Sequence, residues 1–69
     1  MLSFVEYLSQ FANQHNSIAF KMIDGETQFL FAPWEIGKDF IAGRDERAEP
    51  CALLFEGIVR ISPGPRSHP

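Results

Sequence analysis

Residues 18–33 read IAFKMIDGETQFLFAP. Ile18, Phe20 and Met22 alternate with Ala19, Lys21 and Ile23, a period of two in which one set faces a core and the other the opposite side of a strand. Asp24-Gly25 follows at once. Between alternating hydrophobic runs this dipeptide predicts a β-hairpin with a two-residue type I′ turn, whose central positions both need positive φ. The returning strand is expected over Glu26–Ala32 and should stop at Pro33, which has no amide to give to a ladder.

Upstream, the period is helical. Ser3 and Glu6 form a capping-box pattern, hydroxyl to the N3 amide and carboxylate back to the cap amide. Phe4, Leu8, Phe11 and His15 then fall on one stripe, widened by Val5 and Ala12. The helix should fade between Asn13 and Asn16. Downstream, the spacing predicts a loop at Trp34–Gly37 and a short strand Asp39–Gly43. A charged hairpin loop from Arg44 to Pro50 precedes a strand Cys51–Phe55. A break at Glu56-Gly57 and a last strand Ile58–Ile61 complete the order. One leading helix and five short strands in sequence imply an α+β, mainly β chain: a five-stranded, strongly bent antiparallel sheet closing into an SH3-like or Sm-like barrel, with the helix plugging one end. Residues 1–61 form this single domain; residues 62–69, with three of the five prolines, are expected to be a disordered tail.

The run IAFKMIDGE, then PWEI, DFIAGRDE and LLFEGI, resembles the order of landmarks in WYL domains. Pro33 and Ile36 match that family's Pro-x-x-Leu step. Asp39, Phe40 and Ile41 stand at its Trp-Tyr-Leu triplet, and Glu56, Gly57 and Ile58 at its closing Asp-Arg-Ile. The chain departs from the family at Asp39, where WYL domains have Trp, and at Leu54 and Gly57, where they carry basic residues of a ligand or nucleic-acid contact surface. The resemblance implies a small barrel and a regulator that binds a nucleotide or single-stranded nucleic acid. A second resemblance, at Gln14-His15 and Ile23–Glu26, is to the small acidic Sm-like inhibitors of the termination factor Rho. It implies a free-standing barrel that acts as a protein ligand.

The chemistry-bearing residues are few. With 69 residues the chain holds one domain, and 45% hydrophobic content with seven Phe is too apolar for a disordered segment. Cys51, the lone cysteine, sits among apolar neighbours as a structural thiol rather than a nucleophile, and it fits a reducing cytosol. His15 lies on the helix stripe and His68 in the tail, so no Cys-His pair or zinc ligand set forms. The glycines make no phosphate cradle. No catalytic residue, cofactor or metal is expected, and no secretory leader or membrane span is visible, so a cytoplasmic location is expected.

Partner-binding candidates remain. Trp34, expected in a loop, is either a lid on the core or an anchor for a partner, with Glu35 and Asp39 as part of a charged rim. The hairpin residues Arg44, Asp45, Glu46, Arg47 and Glu49 form a second candidate for docking on a basic protein surface. Nine acidic against six basic side chains give a charge of −3, and residues 1–61 alone have five basic and nine acidic, or −4. This balance favours a protein partner, such as a nucleic-acid-binding protein, over nucleic acid itself. Nucleic acid gains weight if Lys21, Arg44, Arg47 and Arg60 converge on one face. Self-assembly into a homo-oligomeric ring through edge strands is a further expectation.

Overall fold

The capping box forms as its residues require. In the computed structural model, which describes residues 1–65, helix α1 spans Phe4–Gln14. Its Ser3 Oγ accepts the Glu6 amide at 3.1 Å while Glu6 Oε1 accepts the Ser3 amide at 2.9 Å. His15 ends the helix in an extended conformation, its amide still donating to Phe11. The apolar stripe delivers Leu8 into the core, fully buried with Ile18, Phe20, Leu30 and Ile41, and Phe4 stacks edge-on against Phe55 at 5.0 Å.

Five strands follow: β1 Ser17–Met22, β2 Thr27–Ile36, β3 Phe40–Arg44, β4 Pro50–Leu54 and β5 Ile58–Pro63, with a 3₁₀ turn at Phe55–Gly57. All neighbours are antiparallel, in the order β4-β3-β2-β1-β5. Consecutive strands β4 and β5 thus occupy opposite edges, joined by three residues. A flat sheet would part those edges by four strand spacings, about 19 Å, whereas one 3₁₀ turn advances about 6 Å. The sheet must therefore bend strongly. The Phe55 amide donates to Asp39 in the β2–β3 turn, and the Ile23 amide of the first hairpin donates to Gly57, which pins the crossing at both sides. Strands β4 and β5 are not hydrogen-bonded to each other. The leading helix and the bent five-stranded antiparallel sheet expected from the sequence are present, and the sheet stays open between β4 and β5, so the barrel is not closed.

The structure corrects three local expectations. The first hairpin stands at Asp24-Gly25, but its loop has three residues: the Met22 amide bonds Glu26, the Gly25 amide bonds Met22, and only Gly25, at φ 92°, is left-handed. That is a turn followed by a bulge residue, not a type I′ pair. Secondly, β2 does not stop at Pro33. Phe31 pairs with Arg44 and Glu35 with Ala42, so Ala32, Pro33 and Trp34 bulge opposite Gly43 alone. Proline's missing amide has no ladder partner to fail in such a bulge. Ala32, at φ 48°, turns its amide to the Asn16 carbonyl instead. Thirdly, β5 continues past Ile61: Ser62 pairs with Ala19 and Pro63 with Ile18. Gly64 then donates to the Ser17 carbonyl at 3.0 Å, and the Ser17 hydroxyl donates to Pro65. Residues 62–65 of the expected tail are thus tied to β1, and residues 66–69, with His68, lie outside the described residues.

Candidate functional site

The bulge sets Trp34. Placed in β2 rather than in a loop, it is 52% exposed, and the Arg44 guanidinium lies 5.5 Å from its ring centroid, within cation–π range. Arg44 is itself held, since Nη1 donates to the Ala48 carbonyl at 2.9 Å. The second hairpin therefore fixes Arg44, and Arg44 fixes the ring. Trp34 lines a groove of about 260 Å³ with Ser9, Ala12 and Asn13 of α1 and with Pro33, Glu35 and Ile36. Beyond Arg44 a second hollow of about 320 Å³ is lined by Phe31, Asp45, Glu46 and Ala48.

The hairpin acids divide between scaffold and surface. Asp45 Oδ1 accepts the Arg47 amide at 2.8 Å and the Glu49 amide at 3.0 Å, so this carboxylate shapes the loop. Glu46, Arg47 and Glu49 are exposed. The structure thus gathers Trp34, Glu35, Arg44, Asp45 and Glu46 around the two grooves, with Arg47 and Glu49 on the same hairpin. Asp39 is not among them. It stands at the other end of β3, about 16 Å from Arg44 at strand rise, where its carbonyl accepts Phe55. Cys51 is a half-buried free thiol; burial, and after it the Asp45 carboxylate, push it above the ordinary thiol range. His15 stacks on Phe11 at 4.5 Å.

A second constellation emerges from strand register. On the sheet face opposite the core, Lys21 pairs directly with Arg60 on one side and Thr27 on the other. The next row up is Ser62, Ala19 and Phe29, and the row above it holds Ser17, Phe31 and Arg44. Three of the four cations named from sequence therefore share a face, while Arg47 sits at a hairpin tip. Of the nine acids, only Glu35 occupies a strand; Glu6 is helical, Glu56 lies in the 3₁₀ turn, and the rest are in turns. The alternation of IAFKM already separated Lys21 from Ile18 and Phe20. Its pairing with Arg60, almost forty positions away in the chain, had no local signal.

Among the described residues, no group of three or more His, Cys, Asp and Glu side chains could hold a metal ion, and no helix is long and apolar enough to cross a membrane. Comparison with protein families, with curated proteins and with solved structures returns no match to this chain.

Proposed function

We propose that this protein is a non-enzymatic binding module, an inhibitor or adaptor in the cytoplasm, that engages a protein partner with Trp34 as the anchor. The observation that carries this reading is a half-exposed indole held in place before any partner arrives, by the β2 bulge beneath it and by Arg44 beside it. Tryptophan offers a large contact area at small entropic cost, and pre-organisation lowers that cost again. Glu35, Asp45, Glu46 and Glu49 supply an acidic surround, which suits a basic surface such as that of a nucleic-acid-handling protein and steers encounter more than it adds affinity. The resemblance to small acidic Rho inhibitors supports the same class of role.

Trp34 is the sole tryptophan, so its fluorescence reports on this site alone. A partner captured from bacterial lysate at near-equal stoichiometry should shift Trp34 emission on titration. It should also be lost with Trp34→Ala and weakened by Arg44→Ala, with the far-ultraviolet circular dichroism of both variants unchanged. Equal capture by wild type and Trp34→Ala would remove the proposal.

A further inference from the structure

We infer that the outer face of β5-β1-β2 is a binding surface for single-stranded nucleic acid, separate from the Trp34 anchor. Charge is the first reason. Lys21 and Arg60 are direct cross-strand neighbours, both exposed, and neither has an acid as its partner in the ladder. Directly opposed side chains stand about 5 Å apart, so two cations meet where one phosphate or two adjacent ones would neutralise them. The net charge of −3 hides this pair because the acids lie mainly at turns and in other elements.

Aromatic placement is the second reason. Phe29 is half-buried, and its cross-strand neighbours in the row are Ala19 and, beyond it, Ser62, both too small to cover a ring. Phe31, two residues on, is also half-buried, between Ser17 on β1, itself buried and bonded to Pro65, and Arg44 on β3. The two rings point to the same side about 6.6 Å apart along the strand. Stacked bases in a duplex follow one another at about 3.4 Å. Successive bases meet these rings only when unstacked from each other, which selects a single strand over a duplex. Bases stacking on a sheet-borne aromatic while cations track the backbone is a sequence-tolerant mode of recognition. Lys21 and Arg60 hold the phosphates at the end of the face away from Arg44, which Trp34 and Ala48 already engage.

The test is fluorescence anisotropy of the whole chain with labelled oligothymidylate and oligouridylate, across a range of salt. Saturable binding is expected, with log K against log salt falling at a slope of about −1.4 for two neutralised phosphates. Arg60→Gln should lower that slope to about −0.7, and Lys21→Glu with Arg60→Glu should abolish binding. Trp34→Ala should leave both unchanged, which keeps this result independent of the protein-partner proposal. An oligomer of abasic sugar-phosphate should bind more weakly than oligothymidylate, since Phe29 has nothing to stack on. A flat titration, equal affinity for duplex, equal affinity for the abasic oligomer, or undiminished binding by the double variant would each overturn the inference. So would capture of an acidic protein through Lys21 and Arg60 with no oligonucleotide binding.

Discussion

Ala48 adopts φ 65°, in a region that side-chain-bearing residues enter at a cost of about 1–2 kcal/mol. The reason is visible by comparison with the other hairpin. There the Met22 amide bonds Glu26 and the Gly25 amide bonds Met22; here the Asp45 amide bonds Glu49 and the Ala48 amide bonds Asp45. The two loops have one hydrogen-bond plan, and Ala48 occupies the position filled by Gly25 in the first. Ala48→Gly should therefore stabilise the fold, by about 0.5–1 kcal/mol after the extra freedom that glycine gives the unfolded chain. Gly25→Ala should cost about 1 kcal/mol through backbone strain alone, as a Cβ there meets nothing within 4 Å. Urea midpoints of the two variants, moving in opposite directions, check both. Cys51 gives the residue scale its pH dependence. With its pKa raised by burial first and Asp45 second, the folded state holds the thiol proton more firmly than the unfolded chain does. Its contribution is complete below the ordinary value of 9.0 and is lost as pH rises from there through the folded value. Alkylation of native protein should show a higher pH midpoint than alkylation of the same chain in denaturant.

Elements differ in how far their sequence announced them. Helix α1 was fully legible because its cap and its stripe are both local: Ser3 to Glu6, and Phe4 to Phe11, lie within two turns. Ser3→Ala should accordingly cost about 1 kcal/mol by thermal or urea denaturation. Hairpin position was legible, whereas loop length was not, since Asp-Gly serves a two-residue turn and a three-residue one equally. The bulge in β2 was illegible because its determinants are distant. It depends on the Asn16 carbonyl taking the Ala32 amide and on a partner strand that is narrow at Gly43. That last dependence is testable: a Cβ at Gly43 would sit 2.9 Å from both Leu30 Cγ and the Phe31 carbonyl, inside the core on one side and against the ladder on the other. Gly43→Ala should cost about 1–3 kcal/mol, and it should also loosen Trp34, seen as a red shift of emission in the folded state. The candidate site divides the same way. The hairpin residues were named from sequence because they are contiguous, and Trp34 because it follows Pro33 in an expected loop, where the structure has the β2 bulge instead. Lys21 with Arg60 was visible only as a question about convergence, which strand register answers.

At the scale of the molecule, charge and topology are linked. Bending brings β5 alongside β1 instead of β4, and this non-consecutive pairing is what sets Arg60 against Lys21. Like charges directly opposed on one face destabilise a sheet, while opposite charges there add about 0.2–1 kcal/mol. A sequence shaped for stability alone would put an acid at one of the two positions, and acids are plentiful in this chain. Local rules tend to be broken where function requires it, so a substitution that mends this pair should separate stability from binding. Arg60→Glu places a carboxylate opposite Lys21 on an exposed position and should raise the unfolding free energy by about 0.5 kcal/mol at low salt, with the gain shrinking as salt screens the pair. The same variant should lose affinity for oligothymidylate. Both quantities are measurable on one preparation, by urea denaturation and by anisotropy. A more stable protein that no longer binds is the expected result. A variant that is less stable and still binds would mean that Lys21 and Arg60 are adjacent for a reason other than holding phosphate.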